Sequence, residues 1–150
     1  MNKNVLESSV ERYYLDGLIE RSKWTIKDNM ANIPLISPNK NVFGIVQFPF
    51  EGENMEFVIN NTSKLLKILN ITDGELTIGF EKQGKLVRKF KFADKNYNAE
   101  YMTSDISLAP KIPQVEEPEY ELSFNINNEF VDKFSKARKS FGSQDDVKVE

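Results

Sequence analysis

The chain contains no cysteine and no histidine. Without cysteine there is no disulfide and no thiolate nucleophile, and an intracellular setting is the simple reading. Without histidine the commonest general base and the commonest metal ligand are both missing. The seven glycines are scattered singly, so no glycine-rich loop can cradle a phosphate. Nucleophile elbows and metal-ligand spacings are absent as well. The acidic groups Glu51, Glu53, Glu56 and Glu116, Glu117, Glu119 lack the ligand periodicity of a calcium loop and read as solvated loops. No window approaches the roughly 20 apolar residues of a membrane helix, and the opening MNKNVLESSVERYYLDG lacks the apolar run of a signal peptide. These absences predict a soluble, cytoplasmic, non-enzymatic protein with no cofactor, no metal and no membrane partner.

What the chain does have is bulk for a core. Its 150 residues are about one domain's worth, with 11 Phe, 5 Tyr and 1 Trp to fill it. The net charge of -3 suggests no polyanion partner by itself, so the distribution of charge matters more than the sum.

A helix is expected over residues 7–22, where Leu6, Val10, Tyr13, Tyr14 and Leu18 recur at spacings of three and four. Ser8 or Ser9 is placed to cap it, and Gly17 weakens its middle. Strands follow at 24–29, 31–36 and 42–48, the last apolar on both faces except Gln47. Tight turns between them suggest an antiparallel meander.

The pattern then restarts. Met55, Phe57 and Ile59 alternate in a strand, and Asn60, Asn61, Thr62 or Ser63 can cap a short helix. On that helix Leu65, Leu66 and Leu69 share one face, with Lys64 and Lys67 on the other. An Asp73-Gly74 turn leads into three more strands, at 75–80, 86–92 and 96–102. Leu86, Phe90 and Phe92 share a face with Arg88, and Tyr97, Ala99 and Tyr101 lie together. Helix plus three strands therefore occurs twice, an internal repeat.

Residues 109–119 hold three prolines and three glutamates and read as an exposed connector. A strand at 120–126 then leads into a helix from Asn127 or Asn128 to Phe141, ended by Gly142, with Phe130, Phe134, Ala137 and Phe141 as its apolar stripe. Residues 147–149 begin another strand, so the unit has restarted and stops partway.

The informative charges are basic. Lys64 and Lys67 have no acid between residues 62 and 71, and Lys133, Lys136, Arg138 and Lys139 face only Asp132 between 130 and 141. An acidic chain that concentrates lysines on helices has a use for local positive surface. The plainer reading is that they keep helices soluble.

With these residues in view, the chain resembles a DNA polymerase sliding clamp, and most nearly the processivity factor of tailed bacteriophages. VERYYLDGLIE followed by WTIKDN is similar to a clamp's first helix and strand. NNTSKLLKILNITDGELTI resembles its second helix and following strand. YMTSDISLAPKIP leading into PEYELSFNINNEFVDKFSKARKSFGSQDDVKV resembles the passage from the first domain into the second. The resemblance covers nearly the whole chain. It implies an α+β clamp fold, with repeated strand–helix–three-strand units, antiparallel sheets outside and helices lining one face.

It also implies a role as a non-enzymatic processivity factor that encircles duplex DNA without sequence preference and tethers the replicative polymerase. Three two-domain subunits would form the ring, opened by a clamp loader. Carried over, Lys64, Lys67, Lys133, Lys136, Lys139 and Arg138 would face DNA, with Arg12 and Arg21 as lesser members beside Glu11, Asp16 and Glu20. Ile112, Pro113 and Val115 would border the partner pocket. The domains would be 1–108, a connector at 109–119, and an incomplete second domain at 120–150. Two other readings compete: a small β-rich virion or assembly component without DNA contact, and a single-strand binder that stacks bases on aromatics such as Phe50 or Tyr97.

Overall fold

In the computed structural model, residues 3–72, 75–84, 86–113 and 126–141 are described, the last four without their side chains. The chain divides into two compact units, Met1–Pro113 and Gln114–Glu150.

The first unit begins with α1 (Lys3–Tyr14). Then come β1 (Ser22–Lys27), β2 (Met30–Ile36), β3 (Phe43–Pro49) and β4 (Met55–Ile59). Helix α2 (Thr62–Ile71) follows, then β5 (Thr77–Gln83), β6 (Leu86–Ala93) and β7 (Asn98–Met102). The seven strands form one sheet in the order β3-β2-β1-β4-β6-β5, with β7 paired to β6. Both three-strand runs are antiparallel meanders. They join through β4, which pairs antiparallel with β1 and touches β6 in parallel at Glu56 and Leu86. Asp28 and Asn29 both take positive φ (52° and 61°), the geometry of the two-residue turn that matches strand twist between β1 and β2.

The core lies between the helices and one face of this sheet. Leu6, Val10 and Tyr13 of α1 and Leu65 and Leu69 of α2 are buried against Ile26, Ile33, Phe57, Ile59 and Phe92. Trp24 sits at the centre, with Tyr13, Phe48, Phe50, Phe57 and Phe90 ring centroids 5.5–6.3 Å away. Packing of that extent is where most of the unit's hydrophobic stabilisation resides.

Several expectations are corrected. The first helix ends at Tyr14 rather than Ser22, because Leu15, Asp16 and Gly17 all adopt positive φ. The Ile19 N–H reaches back to the Tyr14 carbonyl at 3.0 Å, a helix-terminating bond. Ile19 takes the buried position and Leu18 is left exposed. Ser8 and Ser9 lie inside the helix and donate back to the Val5 carbonyl, so neither is a cap. In β6 a bulge beside Glu81 and Lys82 shifts the pairing, so Val87 is buried and Leu86 is not on the face of Phe90 and Phe92. Strand β3 is an edge strand with one solvent face, which leaves Phe43 and Ile45 exposed. Tyr97 precedes β7 and is exposed, while Phe50, read as free to stack, is buried against Trp24.

In the second unit the described residues include α3 (Asn128–Phe141), with the Asn127 side chain accepting from the Phe130 N–H at 2.8 Å. Phe130 and Phe134 stack at 6.1 Å. The strands expected at 120–126 and 147–149, apart from Ile126, lie outside the described residues, as does the Asp73-Gly74 turn.

Candidate nucleic-acid interface

Helices α1 and α2 run antiparallel beside one another. The Lys3 ammonium donates to the Thr72 carbonyl at one end. At the other, the Thr62 hydroxyl lies 3.2 Å from the Tyr13 hydroxyl and 3.1 Å from the Glu20 carbonyl. A carbonyl only accepts, so the chain of donation runs from Tyr13 to Thr62 to Glu20. Burial pushes the Tyr13 hydroxyl up to about 12, consistent with a phenol that keeps its proton.

The start of α2 is held from four directions. Asn61 accepts from the Lys64 N–H at 2.7 Å, so Asn61 is the cap among the four candidates. The Glu20 carboxylate accepts from the Ser63 N–H at 3.1 Å and from the Tyr14 hydroxyl at 3.3 Å. The Tyr101 hydroxyl accepts from the Asn61 N–H at 2.9 Å, and its pKa is raised chiefly by burial. The Thr62 N–H donates to the Glu20 carbonyl at 3.0 Å.

With Leu65 and Leu69 buried, Lys64 and Lys67 are exposed on the side of α2 away from the sheet. Arg12 is exposed near the end of α1, the end at which α2 begins. Among the described residues none of these three forms an ion pair, and Glu11 and Asp16 are the nearby exposed acids. Four lysines of the sheet behave differently. Lys23 pairs with Glu56 at 3.0 Å, Lys89 with Glu100 at 3.2 Å, Lys91 with Glu81 at 2.9 Å, and Lys82 with Glu53. A hydrogen bond from Lys91 and the nearby Lys89 charge hold Glu81 below the usual carboxylate range, and Lys82 does the same for Glu53. Four lysines on the sheet are thus neutralised locally, while Lys27 on β1, like Lys64 and Lys67 on α2, forms no ion pair among the described residues.

On α3, Lys133 and Lys136 are exposed. Lys133 pairs with Glu129 at 2.7 Å, an acid one turn earlier that the charge count over 130–141 left out. The helix carries Arg138 and Lys139, whose side chains are not described. Among the described residues no group of three or more acids could hold a metal ion. No helix among them is long and apolar enough to cross a membrane.

Arg21 lies outside both helices, beside β1. It lines a groove of about 450 Å³ with Leu18, Ile36, Lys40, Leu108 and Lys111. Ile112 and Pro113, expected near a partner pocket, follow this lining directly; Val115 lies outside the described residues. Sequence reasoning missed Lys40 and Leu108, because nothing in a local window links a β-turn at 37–41 to a connector 70 residues on.

Helices packed on one face of a sheet built from two joined meanders define the DNA sliding-clamp fold, and this chain has it. Among solved structures it is similar to the DNA polymerase sliding clamp of Pseudomonas aeruginosa: TM-score 0.59, 10% identity, 77% of this chain covered against 32% of that one. The DNA polymerase III subunit beta of Pseudomonas aeruginosa gives 0.61 and 14%, over 98% and 39%. PCNA from Thermococcus kodakaraensis gives 0.55 and 13%, over 78% and 49%. The chain therefore spans between a third and a half of the length of these structures. No family model and no curated protein matches it.

Proposed function

We propose that this chain serves as a non-enzymatic DNA polymerase processivity clamp, with duplex DNA as a sequence-independent partner and a replicative polymerase as the protein it tethers. The observation that carries this is the contrast in lysines. Four on the sheet, Lys23, Lys82, Lys89 and Lys91, are paired with glutamates, while among the described residues Lys64 and Lys67 on α2 stand unpaired on a surface held rigid from four directions. Unpaired ammonium groups on a smooth helix pair suit phosphate contact that reads no bases. Arg12 belongs to the same wall, and in this reading Lys133, Lys136, Arg138 and Lys139 of the second unit also serve duplex DNA.

In this reading residues 1–108 are one clamp domain, 109–119 the connector and 120–150 the start of a second. A homotrimeric ring, opened by a clamp loader in a phage-type replication apparatus, is the assembly proposed. The edges of the sheet support association through β3. The β5 edge carries Glu81, Lys82 and a bulge, features that block strand addition. The β3 edge has no charge along Phe43–Pro49 and exposes Phe43 and Ile45. The test is polymerase processivity on primed circular DNA, with and without this protein and its loader. Longer products are expected, and no gain from the assembled protein sinks the reading.

A further inference from the structure

We propose that residues 15–20, between α1 and β1, form a latch with two states, and that opening it takes Glu20 away from the start of α2. The closed state carries three successive left-handed residues, Leu15, Asp16 and Gly17, at φ 49°, 53° and 99°. A helix end needs one such residue and normally takes glycine there. Here two residues with side chains share the conformation, and the Cβ of each opposes it. Leu15 and Leu18 gain little burial in return, being 42% and 37% exposed. The sequence meanwhile favours one more turn of helix, since Leu18 follows Tyr14 by four residues and continues the stripe of Leu6, Val10 and Tyr13. The turn is strained and has a ready alternative, which is what a two-state segment requires.

The contacts that hold the latch closed all begin at residues 19 and 20. Ile19 is buried, and its N–H donates to the Tyr14 carbonyl at 3.0 Å. The Glu20 carbonyl accepts from the Thr62 N–H at 3.0 Å and from the Thr62 hydroxyl at 3.1 Å. The Glu20 carboxylate accepts from the Ser63 N–H at 3.1 Å and from the Tyr14 hydroxyl at 3.3 Å. Extending α1 through Leu18 relaxes Leu15 and Asp16. It also gives the Tyr14 carbonyl to the Leu18 N–H, as in any helix, so Ile19 leaves the core and Glu20 leaves α2. Relief of backbone strain thus opposes the loss of one apolar side chain and a few hydrogen bonds, effects of similar size. The open state is the minor one and forms without unfolding the sheet. The bonds from the Asn61 N–H to Tyr101 and from the Lys64 N–H to Asn61 stay in place, so opening loosens the start of α2 and does not melt it. The latch therefore sets how firmly Lys64 is presented, whatever the helix pair binds.

The test is native-state hydrogen exchange of the full chain, resolved by NMR and corrected for intrinsic rates. The amides of Ile19, Thr62 and Ser63 should share one opening constant, at least about tenfold larger than that of the paired amides of β1 and β2. The amides of Asn61 and Lys64 should not follow them. Leu15→Gly removes a Cβ that opposes the turn and disfavours the extended helix, so it should lower the shared constant about tenfold. Gly17→Ala, at φ 99°, should raise it about tenfold. In an uninterrupted helix these two substitutions act in the opposite directions. Ile19→Ala weakens the closed state and should raise the constant at Thr62 and Ser63 together with that at residue 19. Circular dichroism confirms that each variant is folded. Different constants for Ile19 and Ser63, constants equal to those of the β1–β2 pairing, or no shift or a reversed shift in the Leu15 and Gly17 variants overturns the proposal. The assay contains no DNA, polymerase or loader, so its outcome is independent of any gain in processivity.

Discussion

The Tyr101 hydroxyl accepts from the backbone N–H of Asn61 at 2.9 Å and lies 2.7 Å from the Asn60 side-chain oxygen, to which it donates. One phenol from β7 thus anchors the first turn of the helix that presents Lys64 and Lys67. The anchor is far off in sequence, so the position of the basic face depends on the assembled sheet and not on α2 alone.

Replacing Tyr101 with phenylalanine keeps the ring in the core and removes only the hydroxyl. The Asn60 and Asn61 N–H groups lose their acceptor, and the expected cost is about 1–3 kcal/mol. Urea denaturation followed by circular dichroism measures it. A cost indistinguishable from zero would show that water replaces the phenol without loss.

Alkaline stability should depend on Tyr13. Burial raises its pKa to about 12 in the folded protein, against 10.0 for the free side chain. The unfolded chain therefore loses its phenol proton first. Stability is fully present below pH 10 and is lost as pH rises through 12, by about 3 kcal/mol in all. Tyr101 shifts the same way, so the comparison must be made against Tyr13→Phe, whose stability should fall less steeply over that window. Parallel curves for the two proteins would contradict the assignment.

Reversing charge at Lys64 and Lys67 separates a solubilising role from a DNA-facing one. Both side chains are exposed and lack ion pairs among the described residues, so Lys64→Glu with Lys67→Glu should change stability by no more than about 0.5 kcal/mol per site. Retention on circular DNA should fall, and the salt dependence of that retention should weaken. Unchanged retention argues for solubility alone.

Two further substitutions mark the difference between core and edge. Trp24→Ala should cost about 3–5 kcal/mol, because five aromatic rings close around that side chain. Ile45→Lys, at a position 65% exposed on β3, should leave the thermal midpoint of the isolated chain nearly unchanged while weakening any association through that edge. A large loss of monomer stability from Ile45→Lys would mean the β3 edge is packed internally.

Much of the fold could be read from local pattern. Alternation located Met55, Phe57 and Ile59, and spacing placed Leu65 and Leu69 opposite Lys64 and Lys67, because strand and helix periods are properties of short windows. The repeat of helix and three strands was visible for the same reason, and so was the shape of the sheet's two halves. What no window contains is how distant segments meet. The left-handed turn at Leu15–Gly17 stops α1 early and lets Glu20 reach the start of α2. The bulge in β5 and β6 moves Val87 into the core, and the place of β3 at the sheet's edge exposes Phe43 and Ile45. The ring of Arg21, Lys40 and Lys111 exists only because β1, a β-turn and the connector converge. Residue type and period determine which elements form and which faces are apolar. Which of the described lysines end up paired, and which do not, is decided by contacts that only the assembled sheet makes.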